Sequence, residues 1–277
     1  MNVFNSEWLK DLTLPQKDSS KGENGQLTII GGSKLFHGAP LLAMTVASRL
    51  TDMVYFSSPE KSVGEVASNI KSRLFSFIWV PWREVSYYIK KSDAVLIGPG
   101  FMRFGSEKFT EEERLSCDEA CRESEKITER FLTKFPDKRW VIDGGSLQVL
   151  DPGIIPNYAV LTPNLKEYKK LFGDMEVSEA ANKYNCVIVH KKPVTTICSP
   201  KCCVEIKGGN AGLTKGGTGD VQAGLTAALL TKNDPFIAAA AASYLTKKAS
   251  DKLFKNVGTA YNADDLSHEI VKEFSKL

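Results

Sequence analysis

The chain has 277 residues, enough for a sizeable core in one large α/β domain or two small ones. Hydrophobic residues make up 42% and charged residues 25%, an ordinary globular composition, and 36 basic against 33 acidic side chains leave a net charge of only +3. That balance, with no long basic tract interleaved with aromatics, argues against nucleic acid as a ligand but permits a local positive patch for a small phosphorylated molecule.

The N-terminus lacks the uninterrupted apolar stretch of a secretory signal. No run approaches the length of a membrane span, so no membrane association is expected and a cytoplasmic location is. The cysteines are Cys117, Cys121, Cys186, Cys198, Cys202 and Cys203, and none forms a C-x-x-C pair. None of His37, His190 and His268 sits at ligand spacing from them, so no metal site is expected. Reduced thiols are expected rather than disulfides.

Residues 1–20 read as an amphipathic arm and a polar leader. Gln26–Ile30 is the first strand; it ends in Gly31-Gly32-Ser33, and a helix is expected from Ala39 to about Leu50. Met53–Ser57 is the second strand. This opening βαβ unit predicts a parallel sheet covered by helices. Ser62–Arg73 is expected to be helical, Leu74–Val80 is a short apolar run, and Trp82–Lys91 is helix-like. Ala94–Ile97 is a buried strand by its unbroken apolar content, stopping at Gly98-Pro99-Gly100. From Ser106 to about Lys134 a long helix of mixed charge is expected, its apolar face on the sheet. Strands follow at Trp140–Ile142, ending in Asp143-Gly144-Gly145-Ser146, and at Ala159–Leu161, ending in Thr162-Pro163-Asn164. A helix then runs from Glu167 to Phe172. Cys186–His190 is the next strand, and Thr195–Ser199 with Cys203–Ile206 form a hairpin. Helices are expected at Phe236 to about Phe254 and at Ala263–Phe274. No repeat or low-complexity linker is visible, so residues 21–277 read as one domain behind the arm. The small and polar residues gather where strands end, and in an open α/β sheet those ends share one edge, where ligands bind.

Between the hairpin and the last two helices lies the most informative stretch. Six glycines fall between Gly208 and Gly219, and a helical run of Val221, Leu225, Ala228 and Leu229 follows. Backbone free of side chains lets its N–H groups approach a ligand, and a helix N-terminus adds unpaired donors and partial positive charge. Phosphate is the usual anion for such a junction. The ionisable group there is Asp220. It reads either as a base that takes a proton from an attacking hydroxyl, or as a helix N-cap. G-x-x-x-x-G-K-[ST] does not occur, and Gly217-Thr218-Gly219 lacks the third glycine of G-x-G-x-x-G, so neither common nucleotide scheme owns these glycines.

A late Gly-Gly-Thr-Gly-Asp opening a helix resembles the anion hole of the ribokinase-like superfamily. Several further pieces fall in colinear order over about residues 21 to 266. They are Lys21-Gly22 with the strand ending in Gly-Gly-Ser33, His37-Gly-Ala-Pro40, Ile97-Gly-Pro-Gly100, Val141-Ile-Asp143, Leu161-Thr-Pro-Asn164 with Glu167, Asn210–Asp220, and Gly258–Leu266. Together they resemble the ADP/ATP-dependent NAD(P)H-hydrate dehydratases. The resemblance implies a three-layer α/β/α fold with a mostly parallel central sheet. It implies a lyase that phosphorylates the ring hydroxyl of hydrated NADH or NADPH and eliminates phosphate, using ADP or ATP with Mg2+. By position, Asp220 is the implied base, with Gly217 and Gly219 in the anion hole. Ala39, Gly100, Asn164 and Asp220 match substrate contacts. Lys191, Lys192, Pro193, Val194, Thr195 and Gly219 match nucleotide contacts, and Asp143 is expected to have a substrate or structural role. A homo-oligomer and a separate epimerase partner are also expected, the epimerase domain often fused ahead being absent. Two departures stand out: the family's Lys-Gly turn is Lys191-Lys192-Pro193, and its Asp-Ala-Asp-Ala-Leu stretch is Asp143-Gly-Gly-Ser-Leu147. The alternatives are a small-molecule kinase of the hydroxyethylthiazole or pyridoxal type, which keeps the loop and Asp220, and a nucleotide-binding module without catalysis.

Overall fold

A computed structural model of the chain describes residues 2–70, 74–102 and 119–277. Among the described residues ten strands form one sheet: β1 (Asn2–Val3), β2 (Gln26–Ile30), β3 (Met53–Ser57), β4 (Ile78–Trp79), β5 (Ala94–Ile97), β6 (Arg139–Ile142), β7 (Val160–Leu161), β8 (Val187–His190), β9 (Thr195–Cys198) and β10 (Cys203–Ile206). Their order is β1-β10-β9-β8-β7-β6-β5-β2-β3-β4. Every neighbouring pair is parallel except those of β9, which runs antiparallel to β8 and β10. The expected mostly parallel α/β sheet is what forms.

Alternation along the buried strands divides the core in two. Leu27, Ile29, Leu96, Val141 and Val189 point to one face. There they meet α1 (Gly38–Ala47), α2 (Lys61–Ile70), α8 (Thr218–Leu230), α9 (Pro235–Val257) and α10 (Ala263–Phe274). Ile30, Ile97, Trp140, Ile142 and Ile188 point to the other, against α3 (Val85–Lys91), α4 (Glu119–Lys134), α5 (Gly144–Val149), α6 (Leu165–Phe172) and α7 (Val177–Lys183). Small residues set the closest contacts. Ala238–Ala242 of α9 are wholly buried. A Cβ at Gly224 would lie 2.3 Å from the Ala43 carbonyl oxygen, so α8 lies backbone to backbone on α1. That contact brings the glycine loop at the head of α8 beside the start of α1.

Several elements differ from expectation. The first helix ends at Ala47 and not near Leu50; Asp52 then accepts from the Gly22 and Asn24 N–H groups. Within the apolar run 74–80 only Ile78–Trp79 is strand. Trp82–Glu84 is a 3-10 turn leading into α3. The charged helix is seen from Glu119 onward, and its expected portion at 106–118 lies outside the described residues. The strand β1 and the short helices α5 and α7 were not expected.

The expectation of reduced thiols fails at Cys198 and Cys203, which form a disulfide across the hairpin. The two residues are direct cross-strand partners, and the Ser199 N–H bond to the Cys202 carbonyl makes them a non-hydrogen-bonded pair, the closest approach an antiparallel ladder offers. Cys186 and Cys202 are free, one buried and one exposed, and burial pushes the Cys186 thiol up to about 12. Among the described residues no helix is long and apolar enough to cross a membrane.

Candidate active site

The turns after β2, β5, β6, β7 and β8 share the carboxyl edge of the sheet, and backbone bonds join them. Gly32 N–H donates to the Pro99 carbonyl (2.8 Å), Gly145 N–H to the Gly98 carbonyl (3.1 Å), and Lys191 N–H to the Pro163 carbonyl (2.9 Å). At Gly100 (φ 74°) a Cβ would stand 2.5 Å from the Phe36 carbonyl oxygen and 3.0 Å from Pro40 Cδ. Only glycine lets this turn close onto the start of α1, where Ala39 lies.

The central side chain is Asp143. It is buried, makes no cap bond to α5, and accepts from Thr162 Oγ1 at 2.5 Å and from Lys191 Nζ at 3.1 Å through the same oxygen. Asn164 caps α6: its Oδ1 accepts from the Lys166 and Glu167 N–H groups (2.9 and 3.0 Å). The Glu167 carboxylate returns the bond to Asn164 N–H at 2.9 Å, completing a capping box. Any ligand contact from Asn164 therefore falls to its Nδ2. Burial pushes the Glu167 carboxyl up, and the Asp143 charge adds to that against the pull of the Lys191 cation. Burial also works against the charge on Lys191, but Asp143 and Glu167, the bond to Asp143 and the charge of Asp220 outweigh it, so its ammonium is held firmly protonated.

The glycine loop sits over this cluster. A 3-10 turn spans Ala211–Thr214, and Gly217 is the N-cap of α8 in the left-handed region (φ 91°) with no side chain to cap. Asp220 is the third residue of the helix, so the N-cap reading of Asp220 is wrong; the carboxylate lies in the first turn. A Cβ on Gly219 would come 3.4 Å from Lys191 Nζ, placing that ammonium at the head of α8. Gly216 has nothing within 4 Å of a would-be Cβ, so the protein's own packing does not demand glycine there. The space it leaves open suits a ligand.

Beside the loop is a cavity of about 710 Å³. Of the residues expected at a nucleotide, Lys191, Lys192, Pro193, Thr195 and Gly219 line it, as does Asn164; Val194 is exposed and does not. Ala39, Gly100, Gly217 and Asp220 are not part of this wall. Gly217 packs against Leu42 of α1, the helix whose start holds Ala39 and receives the Gly100 turn, which ties that end of the sheet edge to the head of α8. Lys192 is exposed at the rim. Sequence reasoning missed Lys215, Gln222, Thr246 and Lys247, which also line the cavity. Lys215 Nζ donates to the carbonyls of Thr259 and Tyr261, anchoring the segment before α10. Thr246 and Lys247 lie inside a helix whose sequence signals only burial.

The NAD(P)H-hydrate dehydratase family model matches residues 27–272. A bifunctional NAD(P)H-hydrate repair enzyme Nnr of Methanocaldococcus jannaschii is 33% identical over 273 residues, which is 95% of this chain and 50% of that protein. The chain spans about half the length of the bifunctional relatives it matches. A ribokinase-like superfamily protein from Enterococcus faecalis V583 superposes with a TM-score of 0.82 at 22% identity, covering 99% of this chain and 95% of that one. The ADP/ATP-dependent NAD(P)H-hydrate dehydratase of Bacillus subtilis, co-crystallised with ATP/Mg2+, superposes with a TM-score of 0.77 at 23% identity, covering 99% and 98%. These likenesses show that the fold is ribokinase-like.

Proposed function

We propose, since the chain belongs to the NAD(P)H-hydrate dehydratase family, that it repairs hydrated NADH and NADPH at the expense of ADP or ATP. The observation that carries the reading is the convergence of Lys191, Gly219 and Asp220 at the head of α8, beside a cavity of nucleotide dimensions. Asp220 takes the proton of the ring hydroxyl as that oxygen attacks the terminal phosphorus of the nucleotide, and the bond to the bridging oxygen breaks. The N–H groups from Gly216 to Gly219 and the Lys191 ammonium stabilise charge on the phosphoryl oxygens. Phosphate then departs with the C–O electron pair, the ring nitrogen lone pair fills the deficit, and loss of the adjacent C–H proton restores the double bond.

The residues present fit the nucleotide. Lysines line its cavity, Gly216 leaves open space, and among the described residues the buried Thr246 hydroxyl on the wall lacks a partner. Among the described residues no three His, Cys, Asp or Glu group to hold a metal. Mg2+ is proposed to be brought by the nucleotide, whose phosphates would hold it, and would neutralise part of their charge. On the substrate side, Ala39, Gly100, Asn164 and Asp220 are proposed to hold the hydrated ring. Asp143 is proposed to keep Lys191 in place, and Lys191–Thr195 with Gly219 to bind the nucleotide. We further propose one catalytic domain over residues 21–277 with residues 1–20 as its arm, a homo-oligomer in the cytoplasm, and a separate epimerase acting on the same hydrate.

The decisive assay supplies hydrated NADH, Mg2+ and either ADP or ATP, and follows reduced-nicotinamide absorbance together with phosphate release. Both should rise. Asp220→Asn should lower turnover by about 10²–10⁴-fold, the range for a positioned acid–base group. Wild-type turnover in that variant would remove Asp220 from its role. Stable phosphorylation of a small alcohol, with no phosphate released, would make the protein a kinase.

A further inference from the structure

Lysine is seldom buried unless paired, yet Lys247 is 7% exposed in the middle of the alanine-rich helix α9. Among the described residues its ammonium is bonded to two carbonyl oxygens and no carboxylate: Pro193 at 2.5 Å and Ile206 at 3.0 Å. These mark the two open ends of the β9–β10 hairpin. Pro193 lies in the turn entering β9, and Ile206 is the last residue of β10. Both ends border the cavity, through Lys191, Lys192, Pro193 and Thr195 on one side and Gly208–Gly209 on the other.

The stem of Lys247 also shapes the second rim. A Cβ at Gly209 would stand 3.1 Å from Lys247 Cγ, so the backbone lies against the side chain. One turn further along α9, Asp251 accepts from Gly209 N–H at 3.0 Å. The same helix thus grips both rims from below. Burial pulls the Lys247 ammonium down to about 8, with the Asp251 carboxylate opposing, so the cation persists at neutral pH. Its neighbour Thr246 lines the same cavity with a buried hydroxyl that has no partner among the described residues.

We infer that Lys247 is a positioning residue for the nucleotide: its ammonium fixes the 191–195 turn and the 206–209 strand end at the separation the phosphoryl donor needs. This rests on the cavity being the nucleotide site. Neither carbonyl can be removed by substitution, so the tether is tested from the lysine side. Lys247→Met keeps the apolar stem and loses every donor. Lys247→Arg keeps charge and donors.

The experiment measures ADP and ATP affinity by titration calorimetry, and kcat and KM for nucleotide and hydrate separately. In Lys247→Met the nucleotide Kd and KM should rise about 10–100-fold, the range for losing hydrogen bonds to a charged group. Its kcat should stay within about threefold and the hydrate KM should not move, since no reacting atom has lost a contact. Lys247→Arg should recover part of the loss. If Lys247→Met lost thermal stability but bound nucleotide as wild type does, Lys247 would be a staple only and the inference would be wrong. Should that variant not fold, Lys247→Gln, which keeps a donor amide, carries the same comparison. Failure of the wild type to bind either nucleotide overturns the cavity assignment itself.

Discussion

His190 is the last residue of β8, directly before Lys191, and its ring is buried and stacked on Tyr168 at 4.2 Å between centroids. Among the described residues neither ring nitrogen has a partner. Burial, helped by the charge of Lys192, pulls its pKa from 6.5 down to about 4. The sign follows from proton counting. Between those two values the unfolded chain binds the proton and the folded one does not, so stability is full above about pH 6.5 and drains away as pH falls toward 4. From pH 7 to pH 5 this one ring should cost about 2 kcal/mol. His190→Phe keeps the stack and removes the titration. Urea unfolding at the two pH values should show that the variant loses correspondingly less stability; parallel losses would discharge His190 as the cause. Residue roles divide by how far their partners lie along the chain. Asp220 could be singled out from the sequence because the glycines that define its setting are contiguous with it. Lys247 was not, because its partners are 54 and 41 positions away and only the packing of α9 under the hairpin joins them.

The glycine loop and α8 behave as one element, and two adjacent glycines within it serve different ends. At Gly217 a side chain meets both a left-handed φ and a Cβ position 2.5 Å from Leu42 Cδ1 and 2.9 Å from Ala263 Cβ. Gly217→Ala should therefore destabilise the fold by about 2–4 kcal/mol, combining backbone strain with overpacking. At Gly216 neither obstacle exists. Gly216→Ala should leave stability within about 0.5 kcal/mol but lower kcat/KM by about tenfold or more, because the methyl group enters the space proposed for the phosphoryl oxygens. Thermal melts and steady-state kinetics on both variants check the contrast. An inert Gly216→Ala, stable and fully active, would show that this part of the loop does not meet the ligand. The same loop shows what sequence conveys about elements. Strands such as Ala94–Ile97 and Cys186–His190 were readable from unbroken apolar runs that stop at small or polar residues. The helix α5 was hidden because Gly144-Gly145 spells a turn; the glycine at 145 is instead required by packing, since a Cβ there would stand 2.4 Å from the Phe101 carbonyl oxygen. The disulfide was hidden for a related reason: a separation of five becomes a contact only once the register pairs Cys198 with Cys203.

At the scale of the molecule, the sheet ends at an edge that the arm covers. Reading residues 1–20 as an amphipathic leader captured their apolar content but not their pairing, since two residues carry no strand periodicity. Asn2 and Val3 pair in parallel with Val204 and Glu205 of β10, and Phe4 N–H donates to the Glu205 carbonyl at 3.0 Å. The chain then buries Phe4, Leu9 and Leu12, with Phe4 packed on Trp8 and on Tyr244 of α9. Thr13 N–H donates to Asn233 Oδ1 at 2.7 Å, fastening the far end of the arm to the loop between α8 and α9. Three buried side chains at about 1.5–3 kcal/mol each amount to roughly 4.5–9 kcal/mol, an upper estimate of what the arm contributes. Deleting residues 1–12 should therefore lower Tm by about 10 °C or more. It should also leave β10 as an open edge whose unpaired N–H and C=O groups recruit other chains. The Cys198–Cys203 bond holds β9 to β10 at one end, and Lys247 holds the other, so the hairpin should survive the deletion and present that edge intact. Light scattering on the truncated protein should show association that grows with concentration, while nucleotide affinity changes little at temperatures well below the new Tm. A truncated protein that stays dispersed, with an unchanged melt, would mean that the arm only lies on the edge and does not protect it.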